Sequence, residues 1–205
     1  MFNKVDFYYI LPAKYINYQN TLSSLNINKG NLTELLDQTS NNKLFCREDD
    51  KNDIDYNYFI ELIKLNNDIC IYIVDNDLPS DKNIAGCCIF SIEHFDEKDN
   101  ISIWGICVPY SSSKKYGTQL LNKLKQFTKY SNIDNIQLSA GKNYINFYKK
   151  NDFIPLYNDD EMDEESTPIP MIYHIKGGKK KNKRKIRNKS KRIKKLKRKS
   201  RRSRK

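Results

Sequence analysis

The chain has 205 residues and a formal charge of +12, from 37 Lys and Arg against 25 Asp and Glu. That length holds one ordinary domain with a real core plus an appendage. The charge is concentrated: residues 176–205 carry 20 Lys or Arg and no acid, leaving 17 basic against 25 acidic residues and a net of −8 in the rest. Five cysteines (Cys46, Cys70, Cys87, Cys88, Cys107) without a CxxC, and only two histidines, argue against a disulfide framework and a zinc site. No run is apolar for long enough to span a membrane, and the first residues lack the pattern of a signal peptide. The expectation is a soluble, intracellular protein in a reducing compartment, with its thiols buried in strand-like runs.

Taken in chain order, Val5 to Leu11 reads as a strand stopped by Pro12. Tyr15, Tyr18, Leu22 and Leu25 share a helical face, and Gly30 ends that unit. Asn31 is placed to cap a short helix through Leu36. Residues 39–55 are polar and read as loop. Tyr56, Phe59, Ile60 and Ile63 form a second amphipathic stripe. Two apolar runs follow, Ile69 to Val74 and Ile84 to Ile92, with turn formers between them. A turn over Phe95 to Asn100 leads to a third run, Ile101 to Val108. Three strands joined by short turns make an antiparallel meander.

Beyond Pro109 lies a polar loop, then a helix from about Tyr116 with Leu120, Leu121, Leu124 and Phe127 on one face. A strand (Ile136 to Ala140), a short helix with Phe147 and Tyr148, and two more strands (Phe153 to Tyr157, Pro170 to Ile175) complete the order β, α, α, β, β, β, α, β, α, β, β. A strand feeding a loop that opens a helix is a place to hold phosphate, because the first amides of a helix have no internal partner.

The stretch Ile101 to Phe153 resembles the acyl-CoA-binding core of the GNAT superfamily of N-acetyltransferases. The family pattern is roughly V-x-P-x-x-(R/Q)-x-x-G-x-(G/A), then helix, strand, and N-x-x-x-x-Y ending near G-F. Cys107 takes the Val position, Pro109, Gly117, Asn143 and Tyr148 match, and Asp152-Phe153 stands for Gly-Phe. Ser112 replaces the Arg or Gln, and Lys115 replaces the first Gly. The resemblance implies an α+β domain over residues 1–175. Its central sheet, mostly antiparallel, would have about seven strands, a V-shaped splay between the fourth and fifth, and helices on both faces. It also implies acetyl-CoA as cofactor.

The resemblance implies that backbone groups of Ile106, Cys107 and Val108 hold the pantetheine arm. Gly105 beside them fits a close approach or a bulge; Gly105 and Pro109 also fit a strand that simply ends. The pyrophosphate would meet the amides of Ser113, Lys114, Lys115, Tyr116, Gly117 and Thr118 at the positive end of the helix. The Lys115 side chain suits a phosphate contact, yet its Cβ would equally obstruct one, and Lys114 with Lys115 also reads as a solvated basic loop. Tyr148 is the expected catalytic acid, protonating the departing thiolate; core packing is its rival reading. Asn143 would hold the pantetheine or cap the short helix. Some family members carry a base where this chain has Ile101, so no base is assigned; Glu93 and His94 read as surface residues. Cys107 has no neighbour to activate it and reads as strand core.

The acidic run Asp159 to Glu165 suits a cationic acceptor, a solvated loop, or a contact with the basic tail. That tail, residues 176–205, follows a Gly177-Gly178 hinge and has too few apolar residues to order itself. Residues 179–205 would bind DNA or RNA through phosphates with little sequence preference, or act as a nuclear localisation signal. Phosphorylation of Ser190, Ser200 or Ser203 would weaken that binding. Similar tails behind Gly-Gly occur in proteins of large DNA viruses.

The expected function is transfer of acetyl from acetyl-CoA to a primary amine on a protein or a polyamine-like molecule, with no metal and no membrane partner. The alternatives are an inactive GNAT-like binding protein tethered to nucleic acid and a packaging protein.

Overall fold

The computed structural model describes residues 5–41, 56–79, 83–95, 98–108, 114–156 and 168–175. Ser112, Ser113, Cys46, the acidic run and the basic tail lie outside them, as do the calls made on them. Among the described residues, eight strands form one mixed sheet in the order β2-β1-β3-β4-β5-β6-β8-β7. They are β1 (Val5–Ile10), β2 (Ile27–Lys29), β3 (Ile69–Asp75), β4 (Ile84–Phe95), β5 (Lys98–Cys107), β6 (Asn135–Ala140), β7 (Ile154–Pro155) and β8 (Ile169–His174).

β3 and the first half of β4 are almost wholly buried, as expected of continuous apolar runs covered on both faces. One face packs on α1 (Gln19–Ser24) and α4 (Tyr116–Tyr130) through Leu22, Leu120, Leu121, Leu124 and Phe127. The other face packs on α2 (Leu32–Asn41) and α3 (Tyr56–Leu65) through Leu35, Phe59, Ile60 and Ile63. Each fully buried side chain of this size contributes about 2 kcal/mol. The last helix among the described residues, α5 (Ile145–Lys150), packs Phe147 and Tyr148 against the α4 side.

Several boundaries differ from the sequence reading. β2 is an eighth strand, parallel to β1, entered through Asn26 at φ 56°. Three residues are too few to show an alternation. α2 runs five residues past Leu36, to Asn41. Its polar Thr39 is buried, with the hydroxyl donating to the Leu35 carbonyl at 2.7 Å, so a residue that reads as loop serves the helix. Asn31 does cap α2: its Oδ1 accepts the amides of Thr33 at 2.9 Å and Glu34 at 3.3 Å. The turn expected over 95–100 is tighter, since Phe95 already pairs with Lys98. β7 is only two residues long.

Two features of β5 set up the site. First, the register with β4 shifts between Ile89, opposite Gly105, and Phe90, opposite Ile103; Trp104 is the extra residue of a β-bulge. The shift reverses the alternation. Ile101 and Ile103 face α4, and after the bulge so do Ile106 and Val108, while Cys107 turns to the α2–α3 side. Second, β5 and β6 run parallel and pair only from Asn100–Asn135 to Ile103–Leu138. Beyond that, β5 stays with β4 as far as Cys107 and β6 stays with β8 as far as Ala140. The two strands part, as expected of the fourth and fifth strands of the sheet, numbered fifth and sixth once β2 is counted.

Candidate functional site

The parting of β5 and β6 leaves one edge of β5 from Gly105 onward without a strand partner among the described residues. Such an edge presents backbone N–H and C=O groups to an extended ligand. Ile106 and Val108 are half-buried there; Cys107 is buried and points the other way. Cys70, Cys87 and Cys88 are buried free thiols, and burial pushes Cys87 and Cys88 well above the ordinary thiol value, which makes them inert. Cys107 departs from the buried-thiol reading: it is disulfide-bonded. The sequence has no CxxC, so no spacing signal marks this bond.

The other wall is the start of α4. Lys115 is its N-cap residue, at φ 55° and ψ 40°, and gives no side-chain cap. The first helical bond runs from the Gln119 amide to the Lys115 carbonyl at 3.1 Å. The amides of Gly117 and Thr118 therefore precede the helical ladder, at the positive end of a 15-residue helix. The left-handed backbone at Lys115 is the conformation that glycine supplies most easily. Among the described residues, the other four non-glycine residues at positive φ are Asn or Asp, which tolerate it; Lys115 is the exception. One of the four is Asp152, at φ 65°. Both positions where the family pattern has glycine and this chain does not thus keep the left-handed backbone.

Lys114 is not a loosely solvated side chain. Its ammonium lies 2.6 Å from Asp75 Oδ2 and 2.9 Å from Asp77 Oδ2. The Tyr116 hydroxyl also donates to Asp75 Oδ2. Burial pushes the Asp75 carboxyl up, but the bonds from Lys114, Tyr116 and the Asp77 amide more than offset this and hold it below the ordinary aspartate value. The same contacts raise Lys114.

Tyr148 comes from the far side. Phe147 and Tyr148 pack edge to face at 5.1 Å, and Tyr148 meets Phe153 at 5.7 Å. The Asp152 turn returns the Phe153 amide to the Tyr148 carbonyl at 3.1 Å. Burial, with the Cys88 thiol nearby, pushes the Tyr148 phenol well above its ordinary value, so it stays protonated. Cys88 pairs with Ile106 across β4–β5, which puts Tyr148 on the α4 side of the freed strand. Asn143 is exposed in a 3-10 turn (Lys142–Tyr144) and does not cap α5, whose N-cap residue is Tyr144. The capping reading of Asn143 is thereby removed.

The structure therefore brings together Ile106, Val108, Lys115, Gly117, Thr118 and Tyr148 around the parting. Ser113 lies outside the described residues. Ile101 is fully buried. Glu93 and His94 are exposed, with His94 Nδ1 2.9 Å from Asp99 Oδ1. Glu93 pairs with Asn100, on the closed side of the parting, and is no base for it. Sequence reasoning missed Asp75; it read a bulge at Gly105, and the extra residue is the adjacent Trp104, which is 45% exposed with its indole N–H donating to Ser91 Oγ at 3.1 Å.

A sequence model of the "Acetyltransferase (GNAT) family" matches residues 33–153. The chain belongs to that family. As a GNAT protein it is an acyltransferase that uses acetyl-CoA. No curated protein matches the chain. Among solved structures it is similar to the catalytic domain of the Tetrahymena GCN5 histone acetyltransferase in complex with coenzyme A. That match has a TM-score of 0.52 at 16% identity and covers 88% of this chain and 98% of the other. It is also similar to a putative N-acetyltransferase from Lactobacillus plantarum, with a TM-score of 0.50 at 10% identity over 84% of this chain and 99% of that one. At these identities the likeness speaks for the fold. No helix among the described residues is long and apolar enough to cross a membrane, and no metal-binding cluster of side chains occurs among them.

Proposed function

We propose that the chain transfers acetyl from acetyl-CoA to a primary amine, with residues 1–175 as the catalytic domain. The observation that carries this reading is the pairing of β5 with β6, which stops at Ile103–Leu138 beside the α4 start, where Lys115 gives no side-chain cap, and beside Tyr148. These residues fit the coenzyme. The unpaired edge of β5 offers backbone groups at Ile106, Cys107 and Val108 to an amide-bearing arm. The α4 start offers amides to a pyrophosphate, and Lys115 already holds the left-handed turn that a glycine would supply.

Acetyl-CoA supplies an activated acyl thioester. The edge amides of β5 hold it in line and polarise its carbonyl, so positioning and electrostatics provide most of the rate. Tyr148 keeps its proton on the phenol oxygen and delivers it to the departing sulfur. Lys114 enters through its backbone, because its ammonium is committed to Asp75 and Asp77. Asn143, exposed before α5, contacts the pantetheine arm. The amine arrives neutral or loses its proton to water.

The acceptor is a protein amine or a polyamine-like molecule, and the acidic run 159–165 suits its positive charge. Residues 176–205 tether the enzyme to DNA or RNA, or direct it to the nucleus. The test is acetyl-CoA turnover with small diamines and a Lys-rich peptide, monitored by free thiol release. Thiol release that depends on the amine and falls in Tyr148→Phe supports the reading; coenzyme binding without turnover of any amine would favour the inactive binding protein.

A further inference from the structure

Asp75 ends β3 with 0% exposure, a depth at which a carboxylate is costly unless fully partnered. Its partners are few and specific. Oδ2 accepts the Lys114 ammonium at 2.6 Å and the Tyr116 hydroxyl. Oδ1 accepts the Asp77 amide at 3.0 Å. The Asp75 amide donates to the Asn83 carbonyl at 2.8 Å, which fixes the residue to the start of β4. Lys114 and Tyr116 stand on either side of Lys115. That residue holds a left-handed backbone for which lysine has no preference, at a cost of about 1 kcal/mol. A rotation at Lys115 would swing every amide of the first α4 turn. The turn must therefore be held from outside, and Asp75 grips it on both sides.

We infer that Asp75 is a positioning residue for the pyrophosphate end of the coenzyme: through Lys114 and Tyr116 it fixes the Lys115 turn and so aims the Gly117 and Thr118 amides. The inference rests on the coenzyme site proposed above. It adds that the anion is met by oriented backbone dipoles, while the Lys114 ammonium is neutralised by two carboxylates. The role is remote from the thioester, so it should matter only for ligands that carry the pyrophosphate.

The experiment titrates full-length wild type, Asp75→Asn and Tyr116→Phe with acetyl-CoA and with acetyl-pantetheine, which has the thioester arm but no pyrophosphate. Both variants should bind acetyl-CoA about tenfold more weakly, the scale of a lost charge-assisted contact, and acetyl-pantetheine unchanged within about twofold. Equal weakening toward both ligands, or none toward either, overturns the positioning role. Tyr116→Phe keeps the buried ring, so it decides the matter by itself if Asp75→Asn does not fold. Wild type that binds acetyl-pantetheine and acetyl-CoA equally would overturn the inference and leave the thioester site standing; wild type that binds neither would overturn both.

Discussion

A Cβ built on Gly117 lies 3.1 Å from the ring tip of Phe147 and 3.9 Å from Val108 Cγ1. The missing side chain lets three elements meet: the end of β5, the first turn of α4 and α5. Gly117 therefore has a packing role of its own. It seats Phe147, and Phe147 precedes Tyr148. The ring tip can yield a few tenths of an ångström, so Gly117→Ala should stay within about 1 kcal/mol of wild type, helped by its better helix propensity. Gly117→Val should lose about 2 kcal/mol by overpacking and, by shifting Tyr148, lower kcat. Thermal unfolding and steady-state rates on the two variants check both halves.

Lys115→Gly should raise stability by about 1 kcal/mol, because the left-handed backbone then carries no side-chain penalty. Lys115→Val should lower it by at least as much. Chemical denaturation midpoints at constant slope would show the order Gly, Lys, Val. Acetyl-CoA affinity should hold or improve in the glycine variant, because the turn it must find is the same one.

The α4 stripe and the β3 and β4 runs were legible because their apolar periodicity is dictated by burial alone. Lys115 reads as a departure from the family pattern and Asp152 as a stand-in for its second glycine. The structure shows that the pattern survives there as backbone conformation, at φ 55° and φ 65°, which letters do not record. Asp75 was illegible for a different reason. An Asp closing an apolar run reads as a turn former, which its bond to the Asp77 amide fits, while Lys114 and Tyr116 lie 39 and 41 residues away. The bulge was legible at Gly105, and the register shift falls beside it with Trp104 as the extra residue; its effect on the face that Cys107 takes was not, because a one-residue slip in parity leaves no mark on composition.

Asp75 also fixes a pH dependence. Its folded-state value lies below the ordinary 3.8, so its contribution is complete above 3.8 and is lost as pH falls through the folded value. The stability gap between wild type and Asp75→Asn should be about 2 kcal/mol near neutrality, the scale of a charged hydrogen-bond set. It should hold constant down to the ordinary 3.8 and shrink below it. A gap that grows on acidification would contradict the assignment of the charge.

Tyr148→Phe should leave acetyl-CoA affinity unchanged and lower kcat about a hundredfold or more, as removal of a general acid does. The phenol is held above its ordinary value of 10.0, so the ratio of wild-type to variant kcat should stay flat up to that pH. A ratio that falls with rising pH before 10.0 would contradict the raised phenol, and a ratio near one at every pH would remove Tyr148 as the proton source.

The central claim is that the parted β5 edge and the α4 turn form a working coenzyme site. It is tested most directly by calorimetric titration of acetyl-CoA into the full-length protein at about 0.3 M salt, which screens the basic tail. The account predicts one site of micromolar affinity, retained in Tyr148→Phe and weakened in Asp75→Asn. No saturable binding at millimolar acetyl-CoA would contradict it.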